Sequence, residues 1–148
     1  MAAVVKVDDV EELWRAGAVH LPTVAVQYAG AAQAIHSSAV SESSAFSRSS
    51  GGMGPLHPVF KRLRDAFQDR VLVKSHANLI AAGSALTKIA EGFATTDHLN
   101  STQLQEYADF KTGIKTGPDY ERPPTVPPAP TSGDPHPEEA HPPGPGGR

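Results

Sequence analysis

The chain has 148 residues, a formal charge of −3 and no cysteine. The absence of thiols excludes disulfide scaffolds, thiolate metal sites and cysteine nucleophiles. We expect no cleaved signal sequence and no membrane insertion, since no basic segment precedes an apolar one at the N-terminus and no run reaches about 18 apolar residues. Eleven of the 14 prolines and the whole net charge lie from Pro118 onward. The balanced charge of residues 1–117 therefore predicts no nucleic-acid binding.

The first predicted element is a helix over about residues 8–36. Apolar and small residues recur at spacings of three and four, which is the heptad pattern of a seam that faces another helix. Four acidic residues between Asp8 and Glu12 suit the positive end of the helix dipole. Pro22 interrupts the run, but the pattern keeps its phase, so we expect one kinked helix. The seam residues are Val10, Trp14, Gly17, Leu21, Val24, Tyr28, Ala31 and Ile35.

A Ser- and Gly-rich stretch over residues 37–55 follows and predicts a flexible loop. The second helix is expected over about residues 58–97, because Pro58 suits the first helical position. Its second half repeats the seam, and a line of residues at sevenfold spacing broadens the apolar face. The seam residues are Leu72, Ser75, Leu79, Ala82, Leu86, Ile89 and Phe93, and the adjoining line is Val59, Ala66, Val73 and Ile80.

Two segments follow the second helix. Asn100 and Gln103 have the spacing of a capping pair and predict a short third helix over "TQLQEYADF". Residues 118–148 contain almost no large aliphatic side chains, so we expect a disordered, partly polyproline II tail. The tail is either a solubilising spacer or a ligand whose "PPTVPPAP" stretch docks in an aromatic groove.

Together these elements predict an all-α fold, with an antiparallel two-helix hairpin domain over residues 1–117 and a disordered Pro-rich tail over 118–148. Two helices packed only on each other leave an apolar face in water, and a similar hairpin, in a homodimer or a heterodimer, would bury it in a four-helix bundle. The alternative is a monomer whose loop or residues 100–117 fold over this face. The predicted bundle interface comprises Val10, Trp14, Leu21, Val24, Tyr28, Ile35, Leu72, Leu79, Leu86, Ile89 and Phe93.

The start "VDDVEELWRAGAVHLPTVAVQYAGAAQAI", the small-residue loop and the end "IAEGFATTDHLN" resemble a family. Over about residues 5–100 the chain is similar to actinobacterial helical-hairpin proteins of ESX (type VII) secretion, of the WXG and EspC-like types. In that family a Tyr-x-x-x-Asp/Glu signal follows or ends the second helix, and the matching positions here are Phe93 and Asp97. Phenylalanine replaces the tyrosine, and "SGGMGP" stands in place of Trp-x-Gly. The resemblance implies a secreted protein without a cleaved signal peptide, with a secretion ATPase or a chaperone as a further partner.

The sequence shows no residue pattern that indicates a metal-binding or catalytic site. The seven histidines show no compact ligand spacing, so we expect no metal and no cofactor, and His76 is expected to be a half-buried polar residue of the second seam. No nucleophile elbow or phosphate-binding loop is present, so we expect no enzymatic activity.

Lys61, Arg62 and Arg64 form either a solvated face or a contact with an acidic partner. The alternative function is a cytoplasmic adaptor, with one partner on the helices and another on the tail.

Overall fold

In the computed structural model the chain is helical, as predicted, and two long helical stretches form a hairpin-like arrangement. The structure describes residues 7–49, 51–95, 100–112 and 122–134. The predicted all-α hairpin with a short third helix is confirmed. The helices are α1 (Val7–Arg15), α2 (Leu21–Ser38), α3 (Glu42–Ala45), α4 (His57–Phe67), α5 (Lys74–Thr95) and α6 (Ser101–Thr112), with π-helical turns at Ala16–His20 and Gln68–Val73 and a 3₁₀ turn at Ala39–Ser41.

The chain divides into two compact units. Unit 1 comprises Met1–Gln27 and His76–Pro127, and unit 2 comprises Tyr28–Ser75 and Pro128–Arg148. These boundaries differ from the division near residue 117 that composition predicted. The reason is that composition separates consecutive stretches of sequence, whereas each unit brings together stretches that are far apart in sequence.

The core of unit 1 forms where α6 packs against α1. The Trp14 and Phe110 rings meet edge to face, with centroids 5.4 Å apart, and the Arg15 guanidinium lies over Phe110. Lys111 Nζ donates to Glu91 Oε1 at 2.6 Å. In this unit the segment after the second helix thus covers the Val10 and Trp14 end of the predicted seam. The buried cluster consists of Val10, Trp14, Val19, Ala90, Ala94, Tyr107 and Phe110.

The start of α6 has the capping pair that the sequence predicted. The backbone N–H of Gln103 donates to Asn100 Oδ1 at 2.9 Å, and Gln103 Oε1 accepts from the backbone N–H of Asn100 at 3.0 Å. This reciprocal arrangement satisfies two groups that a helix N-terminus otherwise leaves unpaired. The third helix and its cap are therefore confirmed.

Two glycines allow the helices of unit 1 to touch backbone to backbone. A Cβ added at Gly17 would lie 2.7 Å from the Gly83 carbonyl oxygen, and one added at Gly83 would lie 2.6 Å from the Gly17 carbonyl oxygen. Thr87 Oγ1 donates to that Gly83 oxygen at 3.0 Å. Because any side chain here would overlap main-chain atoms, this contact requires glycine on both helices.

The π-helical turn Ala16–His20 ends two residues before Pro22, and the first long helix is continuous through it. A π turn holds one residue more than an α turn, which helps accommodate a proline that cannot donate to the carbonyl four residues back. The extra residue also moves the buried stripe by one position. The predicted single helix across Pro22 is therefore present, but beyond the turn its buried stripe does not follow the heptad. Beyond the turn the buried residues are Ala25, Ala29, Ala32 and His36, where the heptad predicted Val24, Tyr28, Ala31 and Ile35.

In the second long helix the buried stripe is also displaced by one residue from the predicted seam, but for a different reason. Within α5 the buried positions are Gly83, Ala90 and Ala94, one residue beyond the predicted Ala82, Ile89 and Phe93. A straight α-helix drifts by about 20° per heptad relative to a strict 3.5-residue repeat. Over the three heptads that begin at Leu72, the drift reaches roughly 60°, more than half of the angle between adjacent residues. Small residues therefore occupy the inner face, and larger ones stand beside it.

The connection between the long helices has defined structure in its described part, where the sequence predicted a flexible loop. It contains the 3₁₀ turn, α3 and an isolated antiparallel bridge between Ser47 and Met53. Gly51 and Gly52 close the bridge with φ of +83°, which L-residues rarely adopt. The Phe46 ring packs on Phe60 of α4, with centroids 5.1 Å apart. These contacts tie the connection to α4 in unit 2.

Gly17→Ala and Gly83→Ala are expected to lower the free energy of unfolding by about 1–3 kcal/mol, because the new methyl group must displace main-chain atoms. Gly30→Ala and Gly92→Ala are matched controls, since no described atom lies within 4 Å of a Cβ added at either position. The controls should raise the free energy by about 0.5–1 kcal/mol through helix propensity. Urea denaturation measures both effects, and stabilisation by Gly17→Ala would contradict the backbone contact.

Alkaline pH should weaken unit 1 through Tyr107. Burial, reinforced by Glu91 and Glu11, raises the pKa of Tyr107 to about 12. The folded state then keeps a proton that the unfolded state loses near pH 10, so stability is complete below pH 10 and falls as pH rises to about 12. We expect a loss of about 2–3 kcal/mol across this window. Tyr107→Phe should remove it, whereas Tyr28→Phe should not. An unchanged loss in Tyr107→Phe, measured by denaturation at pH 9 to 12, would contradict the assignment.

Candidate functional site

Unit 2 buries polar side chains. His36, Arg64 and Gln68 are buried, and among the described residues of this unit Leu72 is the one large apolar side chain that is buried with them. Buried polar groups of this kind need hydrogen bonds, and they contribute little hydrophobic stabilisation. The apolar side chains that usually form a core must therefore lie elsewhere in the unit.

An ion-pair cluster holds Arg64 in place. The guanidinium pairs with Glu42 of α3 and donates to Asp65 Oδ1 at 2.6 Å. Lys61 Nζ pairs with Asp65 Oδ2 at 2.8 Å, and His57 Nε2 lies 3.3 Å from Glu42 Oε2. Burial by itself would raise the pKa of Asp65, but the hydrogen bonds from Lys61 and Arg64 hold it below its usual value. The cluster fixes α3 on one flank of α4.

Large apolar side chains line the exposed side of α4. Leu56 is 70% exposed and Leu63 is 68% exposed, and Phe60, Phe67 and Val71 are also exposed. These five residues, called the apolar seam below, follow one another at spacings of four, three, four and four. The last spacing contains the extra residue of the π turn Gln68–Val73, so the seam stays on one face of the helix. Such a seam is typical of a helix that packs against another helix.

A groove runs beside the seam. Its volume is about 350 Å³. Most of its lining is apolar, and Arg64 at its edge is already held by Glu42 and Asp65. The groove can therefore receive an apolar side chain without burying an unpaired charge. The lining residues are Ile35, Ser38, Phe60, Leu63, Arg64 and Phe67.

In the stretch 122–134, for which composition predicted disorder, residues 122–131 lie outside any helix or strand, and the Asp134 backbone N–H donates to the Thr131 carbonyl in a turn. In unit 2, Gln68 Nε2 donates to the Pro130 carbonyl at 2.8 Å. The Ser132 backbone N–H and hydroxyl donate to the two Asp69 carboxylate oxygens at 2.8 Å and 2.6 Å. In unit 1, His76, which is half-buried as predicted, has its Nε2 3.1 Å from the Pro127 carbonyl oxygen. Side chains of the second long helix thus hold this part of the tail.

The predicted bundle-interface residues differ widely in burial, and their contact with a partner chain stays a prediction. Val10 and Trp14 meet in the core of unit 1, and Ile35 lines the groove of unit 2. Phe93, half of the predicted secretion signal, is 37% exposed on α5, and Asp97 lies outside the described residues. Val10, Trp14 and Leu72 are buried, Leu21, Tyr28, Ile35, Leu79 and Leu86 are half-buried, and Val24, Ile89 and Phe93 are exposed.

Sequence reasoning missed the apolar seam. A strict heptad traced back from Leu72 passes through Ser75 and Leu79 in one direction and through Asp65 and Pro58 in the other, so it avoids Phe60 and Phe67. The signal that could have found them is the separate spacing of Leu56, Phe60, Leu63 and Phe67. The apolar positions before the π turn and those after it cannot share one phase, because the turn adds a residue.

The chain matches no family model, no curated protein and no solved structure. Within the described ranges, no helix is long and apolar enough to cross a membrane. The same ranges hold no group of three or more His, Cys, Asp or Glu residues placed to bind a metal ion. The feature of the described residues that most needs an explanation is therefore the exposed apolar seam.

Replacing Asp69 by Ala should free the tail segment around Ser132. Both hydrogen bonds from Ser132 end on this carboxylate, and bonds to a charged group contribute roughly 1.5–3 kcal/mol each. We expect the Ser132 amide to exchange its hydrogen at least about tenfold faster in the variant. Thr125→Ala, at an exposed position of the same segment, is the control and should leave that rate unchanged. Exchange of the Ser132 amide in the parent chain at the rate of an unstructured peptide would contradict the contact.

Proposed function

We propose that the chain acts by associating with another helical protein and not by catalysis. The observation that carries the proposal is the inverted character of unit 2, which buries Arg64 and Gln68 while Leu63 and other large apolar side chains of the seam face water. A contiguous apolar patch of several hundred Å² is typical of an interaction site. Burying it on a partner would supply the apolar core that the described part of unit 2 lacks.

The partner best suited to the seam is itself a helix or a helical hairpin. Because they are spaced by three and four residues, the seam side chains form one row along α4. Ile35 of α2 lines the groove beside this row. A helix laid along this row would have both long helices of the chain on one side. Two such hairpins side by side form a four-helix bundle, either as a homodimer or as a heterodimer.

We further propose that this association serves ESX-type secretion, with the chain as a substrate or an export partner. The proposal is supported by the resemblance of residues 5–100 to ESX helical-hairpin proteins. It is also supported by Phe93, whose ring is part of the surface near the end of α5. With Asp97, Phe93 would form the composite signal that a secretion ATPase or a chaperone binds on the assembled bundle.

The second candidate function is a cytoplasmic adaptor. Residues 122–130 favour it, because this stretch without helix or strand leaves Pro123, Pro127 and Pro128 exposed. Exposed prolines in an extended chain are ligands for aromatic-lined grooves. In this role the apolar seam would bind one partner and the prolines a second one.

An export assay separates the two functions. The tagged chain is produced in an actinobacterium with an ESX system, and its amount in the medium is compared with that in the cytosol. Phe93→Ala with Asp97→Ala should abolish export, because the signal is lost. Leu63→Glu with Phe67→Glu should also abolish it, because two charges in the seam prevent association with the partner.

Lys88→Ala is the control, since Lys88 is exposed on α5 five residues before Phe93 and belongs neither to the apolar seam nor to the predicted bundle interface. It should leave export unchanged, and far-UV circular dichroism should show the same helicity in every variant. Normal export of the folded Phe93 and Asp97 variant would contradict the signal. A parent chain found in the cytosol alone would favour the adaptor.

A further inference from the structure

We propose that the partner of the apolar seam is a second copy of this chain, whose α4 lies antiparallel to the first. The inference rests on the proposed function, because it names the occupant of the same face. The two-fold axis would pass between Lys61 and Arg62. In this register Leu56 faces the partner's Phe67, and Phe60 faces the partner's Leu63.

The order of residue sizes along the seam favours antiparallel pairing. The seam alternates Leu56, Phe60, Leu63 and Phe67 within α4 and its N-cap position. In an antiparallel pair each of the four layers then joins one leucine with one phenylalanine, so all layers have the same volume. In a parallel pair, leucine would face leucine and phenylalanine would face phenylalanine, and narrow layers would alternate with wide ones.

The flanks of the seam allow two identical faces to meet. On one side lie Val59 and Ala66, which add apolar surface. On the other side lie His57 and Arg64, and Glu42 pairs with both of them. A two-fold axis brings each flank against its own copy, so a free charge on a flank would repel itself. Among the described residues these flanks present none, and self-pairing therefore meets no such repulsion.

The size of the face also suits a dimer. A large side chain has roughly 150–250 Å² of surface when fully exposed. The exposed fractions of Leu56, Phe60, Leu63 and Phe67, which range from 43% to 70%, together with Val59, leave on the order of 600 Å² of apolar surface on α4. Each partner of a standard interface contributes about 800 Å². The groove beside Leu63 adds room for a side chain of the second copy.

Because the chain has no cysteine, disulfide formation between introduced cysteines can test this register. A tagged chain with Phe60→Cys and an untagged chain with Leu63→Cys are mixed in equal amounts and oxidised. We expect the mixed disulfide to exceed either homodisulfide several-fold, because positions 60 and 63 face each other across the axis. Phe60→Cys mixed with Arg62→Cys is the matched control and should give little mixed disulfide, since position 62 points away from the seam.

Both substituted side chains are exposed, so the variants should keep their fold, which circular dichroism checks. Homodisulfides at both positions in excess of the mixed product would mean parallel pairing and would overturn the proposal. A monomeric mass of the parent chain by light scattering, together with the absence of disulfides, would overturn it as well. If Leu63→Glu with Phe67→Glu still abolished export of that monomeric chain, the partner would be a different protein. The homodimer would then be wrong, and the proposed function would still stand.

Discussion

The contact between Gly17 and Gly83 determines how closely the two long helices pack in unit 1. Each glycine carbonyl lies where the other residue would carry a Cβ, so the two main chains approach as closely as helices can. At that separation only small side chains fit between the helices, and Ala90 and Ala94 are buried further along α5. Large apolar side chains must therefore pack outside this helix contact. Trp14 finds its place under α6, against Phe110.

Two π-helical turns, together with helical drift in α5, decide which residues lie on the inner face of the long helices. Each turn adds one residue to its helix and so rotates everything beyond it by one position. In the first helix the rotation places Ala25 inside and Val24 outside. In the second it carries the exposed row from Phe67 to Val71. The turns are therefore as important for the surface of the protein as for its packing, because they direct large apolar side chains outward.

The described part of unit 2 buries polar side chains and exposes large apolar ones, which is typical of a binding surface and not of a hydrophobic core. Its ion pairs satisfy the buried Arg64, and the tail accepts a hydrogen bond from the buried Gln68, but these contacts bury little apolar surface. Hydrophobic burial is the main driving force of folding, so a unit that leaves Leu63 and Phe67 in water keeps much of that driving force for association. In the proposed assembly, folding of α4 and binding of a partner would be linked in this way.

The sequence by itself determined the class of fold, the two long helices, the start near Pro58 and the capped third helix, because those features depend on neighbours within one or two turns. Asn100 and Gln103 cap α6 regardless of the rest of the chain. The tertiary structure alone decided which stripe of each helix is buried. It also decided that Glu42 pairs with Arg64 and that Asp69 holds Ser132. The physical reason is that periodicity shows that a stripe exists, whereas its position depends on π turns, on helical drift and on contacts between residues that are 20 to 60 or more positions apart.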